Sequence, residues 1–362
     1  MKQKFYNLKN ILSKDASYNM IFGERSNGKT TAVLEYALKR YVERGEQLAY
    51  LRRWREDFTG KRGEQLFASI VERGQVEKIT GGKWSSVYYF GSRWYLCRFS
   101  EDGKRITDEK PFCFGFAISA QEHDKSVSFP EVTTIMFDEF LTRSTYLPDE
   151  FVLFMNTIST IIRKRMNVKI FMLGNTVNKY CPYFKEMGLK HIRDMKPGSI
   201  DVYRYGDTRL TVAVEYTEPN KAGNTSDFYF AFDNPKLSMI TGGAWEIDIY
   251  PHCPVKYAPK DIRFIYFIEF SGDLLQCEIV HANNSLFTFI HRKTTPIKNP
   301  DKDLIYTPEF SEKPNYRRKI NRPQTELEKK IAFFFSTDKV FYADNEVGEI
   351  VRNYLQWCGK IV

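Results

Sequence analysis

Apolar and polar residues follow different patterns in the two halves of this chain. The first half alternates short apolar runs, of the length of buried strands, with segments in which apolar residues recur every three to four positions, as in amphipathic helices. The strand-like runs span 18–22, 47–51, 112–118, 132–137 and 168–173, and the helical segments span 31–44, 64–73 and 149–165. This alternation predicts an α/β domain whose mostly parallel sheet carries helices on both faces.

Stretches that alternate with a period of two predict antiparallel strands. In the first half, residues 75–99 alternate in this way, and Gly81-Gly82 and Gly91-Ser92 supply turns, which predicts β-hairpins. In the second half, three such strands predict a meander that two helical segments follow. The three strands are expected at 262–270, 274–280 and 286–291, and the helices at 325–335 and 345–358.

The chain is long enough for two domains. A mixed helical segment at 179–194 closes the first half, and Pro197-Gly198 after it indicates a boundary. We therefore expect an α/β domain over 1–197, a linker or subdomain over 198–258, and a small α+β domain over 259–362. Within the middle part, the runs at 210–214 and 228–232 predict strands.

Composition narrows the class of protein. Hydrophobic residues make up 42% of the chain and aromatic residues 15%, which is ample for folded cores. The six cysteines form no C-x-x-C pair, so we expect neither a zinc site nor a disulfide framework, and a reducing cytosol fits. No stretch resembles a signal peptide or approaches the length of a membrane span, so we expect no membrane partner.

Positive charge is concentrated in the first half. Residues 1–197 carry 33 Lys and Arg against 23 Asp and Glu, whereas residues 198–362 carry 21 against 22. A basic surplus favours a polyanionic partner such as nucleic acid, although it also serves solubility.

Residues 23–30 match G-x-x-x-x-G-K-[ST], the phosphate-binding P-loop or Walker A motif, between a predicted strand and a predicted helix. Glycines let the backbone approach a polyphosphate, and the helix N-terminus presents N–H groups to it. Lys29 can reach the β- and γ-phosphates, and the Thr30 hydroxyl can ligate Mg²⁺. We therefore expect ATP and Mg²⁺ as cofactors. The expected nucleotide-binding residues are Gly23, Glu24, Arg25, Ser26, Asn27, Gly28, Lys29, Thr30 and Thr31.

The apolar run 132–137 ends in Asp138-Glu139, the Walker B pattern. A buried parallel strand presents such carboxylates at its C-terminal end, where ligands bind in open α/β sheets. Asp138 would hold Mg²⁺, directly or through water, and Glu139 would orient and deprotonate the attacking water. The adjacent glutamate also predicts an additional strand, here 168–173, between the two motif strands. Asn175 follows that strand, where it could sense the γ-phosphate or simply form a turn.

Two basic clusters flank these motifs. Arg163-Lys164-Arg165 ends the helix at 149–165, where it could reach a neighbouring subunit's γ-phosphate or simply complement the helix dipole. Arg52-Arg53-Trp54-Arg55, with Lys61-Arg62 soon after, could contact a DNA backbone or form a solvated loop. If the first of these two interpretations holds, Arg55, Lys61 and Arg62 are the candidate DNA-binding residues.

Taken together, these motifs resemble the genome-packaging (encapsidation) ATPases of small, protein-primed podophages, which are related to terminase large subunits. Their order and spacing agree over roughly residues 5–185, whereas the C-terminal half matches only in architecture. The residues that carry the resemblance are Gly23, Arg25 and Gly28-Lys29-Thr30, Gly45-Glu46-Gln47, Tyr50-Leu51-Arg52-Arg53, Lys125-Ser126, Phe129-Pro130-Glu131-Val132, Ile135 to Phe140, Ile162 to Arg165 and Leu173-Gly174-Asn175.

The resemblance implies an additional-strand P-loop ATPase that assembles as a ring, a pentamer in the family, on the procapsid portal and pumps double-stranded DNA. It would act in the host cytoplasm, transiently at the portal, and would be absent from the mature virion. Arg163 falls where the family has its trans-acting arginine finger, and Lys125 falls on another interface residue. Arg55 falls on a basic pore residue that touches DNA, and Arg25 on the arginine that packaging motors carry in the P-loop.

The C-terminal domain of that family resembles the RNase H-like nuclease of larger terminases without its catalytic acids. An active nuclease would need clustered carboxylates for two metals, and Glu269, Asp273 and Glu278 are available. Some members also engage a structural RNA, for which Arg317-Arg318-Lys319 is a candidate site. The alternatives are a complete terminase with nuclease activity, an ATP-binding switch without turnover, and a helicase-like or kinase-like enzyme.

Overall fold

The computed structural model describes residues 5–120, 128–219 and 245–359, and it divides the chain into two units, Met1–Glu246 and Ile247–Val362. The predicted strand at 228–232 and Lys125 lie outside the described residues. Within the described ranges, no helix combines the length and the apolar character that crossing a membrane requires.

The first unit contains ten strands and seven α-helices in its described part. The strands are β1 (Tyr18–Gly23), β2 (Gln47–Arg52), β3 (Ser86–Phe90), β4 (Arg93–Phe99), β5 (Arg105–Thr107), β6 (Cys113–Ala117), β7 (Val132–Asp138), β8 (Lys169–Asn175), β9 (Ile200–Arg204) and β10 (Thr211–Tyr216). The helices are α1 (Lys9–Leu12), α2 (Lys29–Arg44), α3 (Gly60–Gln65), α4 (Ala68–Glu72), α5 (Gln75–Ile79), α6 (Glu150–Ile162) and α7 (Pro182–Glu186), and 3₁₀ turns cover Arg55–Phe58 and Ile192–Asp194.

All ten strands form one sheet in the order β3-β4-β6-β2-β7-β8-β1-β10-β9, with β5 paired to β4. The six strands from β6 to β10 in this order run parallel, and antiparallel strands flank them at both edges. The additional strand predicted at 168–173 is confirmed, because β8 pairs with β1 on one side and with β7 on the other.

The parallel arrangement positions the candidate site. Strands β1, β7 and β8 are buried along almost their whole length and end at the same edge of the sheet. In the strand register, Gly23 lies opposite Asn175, and Asp138 lies opposite Leu173. Two apolar clusters cover the two faces of the sheet, one around Phe137 and Phe154 and the other around Leu34 and Trp94.

Two expectations for the first unit are wrong. The boundary is not at 197, because β9 and β10 extend the first sheet and β10 pairs with β1. Pro197-Gly198 is a turn inside the domain, and the unit runs to Glu246, with Trp245 packed on Phe22. Residues 75–79 form the helix α5 instead of a hairpin strand, since Val76 is buried in the core around Leu34.

The second unit is built on the predicted meander, which is confirmed. Its strands are β11 (Ile262–Phe270), β12 (Asp273–Ala282), β13 (Ser285–Arg292), β14 (Ile305–Tyr306), β15 (Tyr316–Arg317) and β16 (Val340–Tyr342), and its helices are α8 (Glu326–Ser336) and α9 (Asn345–Gly359). The order is β15-β14-β11-β12-β13-β16. Strands β11, β12 and β13 are antiparallel, whereas β14, β15 and β16 each run parallel to their neighbour. Both closing helices lie where the sequence predicts them.

Candidate nucleotide site

The loop between β1 and α2 has the backbone of a phosphate-binding turn. Gly23, Ser26 and Gly28 all have positive φ angles, of 154°, 60° and 93°. A Cβ on Gly23 would lie 2.0 Å from the Thr217 hydroxyl oxygen, so no side chain fits there. Thr217 in turn accepts a hydrogen bond from the Asn27 amide at 2.9 Å, which ties the loop to the chain segment after β10. The loop is therefore held open beside a cleft of about 320 Å³.

Lys29 lies at the base of this cleft and is only 6% exposed. Its Nζ donates to the Glu24 carbonyl oxygen at 2.6 Å, to Asn27 Oδ1 at 3.2 Å and to Asn175 Oδ1 at 3.4 Å. Burial lowers the pKa of Lys29 to about 8, although the nearby Asp138 and Glu24 carboxylates oppose this shift. Two of these three acceptors are neutral oxygens of the P-loop itself, and an anion would hold the ammonium group more strongly.

Asp138 ends β7 beside the first turn of α2. The Thr30 hydroxyl lies 3.4 Å from both Asp138 carboxylate oxygens, and Tyr50 donates its hydroxyl to Oδ2 at 2.8 Å. Burial raises the pKa of Asp138, whereas Arg52 and the Tyr50 hydrogen bond act in the opposite direction. One carboxylate and one hydroxyl beside a phosphate cleft fit Mg²⁺, which protein sites commonly hold through one or two carboxylates, waters and phosphate oxygens.

Glu139 leaves the strand in an unusual conformation. Its φ angle is 60°, and its side chain is 62% exposed at the rim of the cleft. A non-glycine residue in this region costs free energy that surrounding contacts must offset. The contact that engages its carboxylate is Arg52, whose guanidinium donates to Oε2 at 2.9 Å.

Arg52 gathers three carboxylates. Besides Glu139, it lies 3.3 Å from Asp57 and 3.6 Å from Asp138. Burial alone would lower the pKa of Arg52, but Tyr50 and these three acids raise it on balance, so the side chain stays charged. Arg52 is therefore engaged inside the site and does not face a DNA backbone, in contrast to one of the two sequence interpretations of 52–55.

Arg53 contacts the backbone of the turn that contains Glu139. Its guanidinium makes a two-pronged contact with Glu150, at 2.8 and 2.9 Å, and donates to the carbonyl oxygens of Glu139 and Phe140. Tyr183 donates to the same Glu150 carboxylate at 2.9 Å. Since Arg53 is 6% exposed and Glu150 2% exposed, this is a buried ion pair that fixes the backbone of the predicted base.

The predicted site residues lie in four places. Ser26 to Thr31, Asp138, Glu139 and Asn175 line one cleft, whereas Arg25 points to Glu246 at 3.4 Å and is half-exposed. Arg55, Lys61 and Arg62 are exposed on the 3₁₀ turn and on α3, away from the cleft lining. Arg163 is exposed at the end of α6.

Sequence reasoning missed Arg73, which also lines the cleft. Its guanidinium lies 4.7 Å from the centre of the Phe5 ring, and Phe5 packs beside Gly28. No sequence signal identifies Arg73, because it follows a short helix and is brought to the cleft only by packing. The sequence could have identified Arg52 as a site residue, because it ends a predicted strand and the ends of parallel strands lie at one sheet edge, here the edge of Asp138.

The first unit is an α/β domain in which β8 separates the strand that ends in Gly23 from the strand that ends in Asp138. Residues 1–80 and 98–218 match the sequence model of the podovirus DNA encapsidation protein (Gp16) family. The chain belongs to this family, and DNA packaging is its function, as the sequence resemblance implied.

Individual proteins similar to this chain are also DNA packaging proteins. The chain is 30% identical over 276 residues to a DNA packaging protein of Bacillus phage phi29, covering 75% of this chain and 74% of the relative. It is 32% identical over 269 residues to a DNA packaging protein of Bacillus phage B103, covering 72% and 74%.

Solved structures share the fold. A chain of the bacteriophage Phi-29 viral genome packaging motor assembly aligns with a TM-score of 0.56 and 20% identity over 98% of this chain and 99% of that one. A chain of the Phi-28 gp11 DNA packaging motor aligns with a TM-score of 0.55 and 20% identity over both whole chains.

Proposed function

We infer that the chain is an ATP-hydrolysing motor that moves viral double-stranded DNA into a procapsid. The observation that carries this inference is the convergence of Lys29, Asp138 and Glu139 at one sheet edge. A cation for phosphates, an oxygen ligand for a metal and a general base are the three groups that hydrolysis of a nucleoside triphosphate requires. Family membership supplies the cargo, which is DNA.

Each group has a defined task in this proposal. Lys29 replaces its contacts with the Glu24 carbonyl and the two amides by contacts with the β- and γ-phosphates. Thr30 and Asp138 would hold Mg²⁺, which supplies charge neutralisation along the phosphates when it is bound. Glu139 orients the attacking water and takes its proton.

The ion pair between Glu139 and Arg52 has to break before Glu139 can act as the base. While Oε2 accepts from Arg52, the carboxylate is turned towards the end of β2 and its charge is already compensated. Rotation of Glu139 away from Arg52 would free the carboxylate for water. Because the segment after Arg52 also carries the exposed Arg55, contact with DNA there can bias this rotation.

The position of Arg163 supports the proposal of a ring in which each nucleotide site is completed by a neighbouring subunit. Helix α6 begins beside Arg53 at the cleft edge, and its 13 residues extend about 20 Å. It ends where Arg165 donates to the carbonyl oxygens of Pro130 and Val132, at the start of β7. Arg163 therefore lies at the opposite edge of the sheet from Lys29 of the same chain. It can serve as an arginine finger only for a neighbouring subunit.

Several subunits act together in this motor. The subunits form a ring, a pentamer, on the portal of the procapsid, in the host cytoplasm and not in the mature virion. Double-stranded DNA passes along Arg55, Lys61 and Arg62, whose exposed side chains can neutralise phosphates. Asn175, in contact with Lys29, reports the state of the γ-phosphate, and Lys125 acts at the subunit interface.

The second unit is best interpreted as an RNase H-like domain without nuclease activity. What supports the fold is the meander β11-β12-β13 with β14 and β15 added in parallel beside β11. Asp273 and Glu278 are five residues apart on β12 and therefore point to opposite faces. Glu269 shares a face with Glu278 but lies four residues away in register, about 13 Å, too far for a shared metal site.

The carboxylates of the second unit also have other partners. Asp273 pairs with Arg292 at 2.6 Å, and Glu278 accepts from Tyr257 at 2.7 Å and Gln276 at 2.6 Å. The packaging motor is therefore favoured over a complete terminase with an active nuclease.

The proposed function is tested by ATP turnover of the purified full chain, with and without double-stranded DNA and procapsids. We expect DNA and procapsids together to stimulate turnover, and Glu139→Gln to abolish it. Glu131→Gln, at the exposed position just before the same strand, is the matched control and should retain turnover. Turnover that ignores DNA and procapsids, or that survives Glu139→Gln, would contradict the proposal.

A further inference from the structure

The hairpin formed by β3 and β4 has one face anchored in the core. Trp94 and Leu96 are fully buried, and the Trp94 indole donates to the Gly63 carbonyl oxygen at 2.9 Å. Val87 and Tyr89 pack on the same core from β3. Gly91 and Ser92, with φ angles of 56° and 58°, form the two-residue turn that the sequence predicted. The register of this hairpin is therefore fixed.

The opposite face is aromatic where polar residues are expected. An antiparallel sheet that packs on a core with one face normally turns polar side chains to water on the other. Here Tyr88 lies directly opposite Tyr95, and Phe90 lies opposite Arg93. Phe90 is 66% exposed and Phe99 is 60% exposed, while both tyrosines are half-buried.

Guanidinium groups lie among these rings. Arg105 of β5 pairs with Phe99 in register and extends across β4, so that its guanidinium lies 3.4 Å from the centre of the Tyr88 ring. Arg93 lies 5.9 Å from the centre of the Phe114 ring. Residues 81–107 contain five Lys and Arg against two acids, and two of these basic residues, Arg93 and Arg105, lie in register with the rings of this face.

We propose that this aromatic face, defined by Tyr88, Phe90, Tyr95, Phe99, Arg93 and Arg105, binds unpaired nucleotides of a single-stranded nucleic acid. Flat rings exposed on a sheet stack on bases, and arginines beside them neutralise the phosphates between those bases. The Tyr88 and Phe90 rings are nearly parallel, 14° apart in plane with centres 6.4 Å apart. Because Arg105 already lies on the Tyr88 ring, the 66% exposed Phe90 ring is the surface that a base can stack on.

This ligand differs from the motor's cargo. The bases of double-stranded DNA are stacked on each other and cannot lie on protein rings, whereas unpaired stretches can. The face is also distinct from the nucleotide cleft, whose lining contains none of its residues. Most of the hairpin, residues 81–97, lies outside both segments that match the family description.

Binding of fluorescent oligonucleotides of about 16 residues, near the upper limit of usual site sizes, tests the proposal by anisotropy. The probes are a single-stranded RNA, a single-stranded DNA of the same sequence, its duplex, and an abasic strand with the same phosphates. We expect the full chain to bind both base-containing single strands more tightly than the abasic strand. The RNA and DNA arms distinguish which source of unpaired bases the face prefers.

The double variant Phe90→Ser/Phe99→Ser should bind the single strands at least about tenfold more weakly, since each lost ring removes the stacking of one base. Phe90→Trp/Phe99→Trp should restore binding. Phe333→Ser, which removes a 54% exposed ring from α8, is the matched control and should bind as the wild type. Unchanged ATP turnover in all three variants establishes that they fold.

Two results would overturn the proposal. One is equal affinity of the wild type for the abasic and the base-containing strands, which would mean that charge alone binds them. The other is equal single-strand affinity of the Ser/Ser variant and the wild type. If that variant nevertheless loses DNA packaging, the aromatic face binds a protein instead.

Discussion

Arg52 holds the carboxylate of Glu139 at 2.9 Å while it also lies 3.6 Å from Asp138, so one guanidinium contacts both acids of the Walker B pair. The two acids stand at the end of β7, and Arg52 stands at the end of the neighbouring strand β2. We propose that Arg52 restrains Glu139, the proposed base, in the absence of DNA.

Replacing Arg52 should uncouple hydrolysis from DNA. In Arg52→Gln, the Glu139 carboxylate loses its cation and can reach water, so we expect DNA-independent ATP turnover to rise several-fold. The ratio of DNA-stimulated to unstimulated turnover should fall accordingly. Arg209→Gln, at an exposed loop position, serves as the control and should leave both rates unchanged. Lower unstimulated turnover with an intact stimulation ratio would show that Arg52 does not restrain the base.

The pKa of Lys29 predicts a pH dependence of nucleotide binding. Burial holds this pKa near 8 in the free protein, and bound phosphates would raise it by supplying negative charge. Binding should therefore take up a proton above pH 8, and affinity for ATP should fall as pH rises further. Calorimetry in buffers of different ionisation enthalpy measures this uptake, which Lys29→Met should abolish. Affinity that is constant from pH 7 to about pH 10 would contradict the assignment.

The same shift has a consequence for stability. The Lys29 pKa of about 8 in the folded protein lies below the ordinary value of 10.5, so the unfolded chain binds more protons between these two values. The free energy of unfolding of the nucleotide-free protein should then rise from pH 8 towards pH 10.5 through this group. Denaturant titrations at several pH values give the free energy of unfolding, which should rise more steeply with pH in this window for the wild type than for Lys29→Met. Parallel pH profiles for the two proteins would exclude the effect.

The position of Arg163 predicts complementation between two inactive variants. Arg163→Ala and Glu139→Gln should each lose turnover in the presence of DNA and procapsids. In mixed rings, a Glu139→Gln subunit supplies Arg163 to an Arg163→Ala neighbour whose Glu139 is intact, so turnover should partly return. Lys164→Ala, one residue along the same turn, is expected to remain active. Mixtures as inactive as their components would remove the trans-acting role.

The buried pair of Arg53 and Glu150 predicts a large loss of stability. Arg53→Met leaves the Glu150 carboxylate buried without its cation, and we expect the free energy of unfolding of the first unit to fall by about 3–5 kcal/mol. Arg55→Met, two residues away on an exposed side chain, should change it by less than about 0.5 kcal/mol. Urea unfolding of the full chain, followed by a signal from the first unit, distinguishes these outcomes. Equal midpoints for the two variants would mean that the pair does not stabilise the fold.

The sequence predicts the parts of this site that follow each other along the chain. A glycine-rich loop between strand and helix, and an apolar run that ends in two acids, are local patterns, and the extra strand β8 follows from the second acid. The roles of Arg52, Arg53 and Arg73 depend on which strands and helices become neighbours, and that is decided by packing of the whole sheet. The misplaced boundary at 197 has the same origin, because the strand predicted at 210–214 could be assigned to the first sheet only once the pairing of β10 with β1 is known.

The central claim is that hydrolysis at this cleft drives DNA into procapsids, and the most direct measurement is the amount of DNA protected from nuclease after incubation with procapsids, ATP and the full chain. We predict that the wild type and Glu131→Gln protect DNA, whereas Glu139→Gln binds ATP and protects none. DNA protected to the wild-type extent by Glu139→Gln would contradict the account.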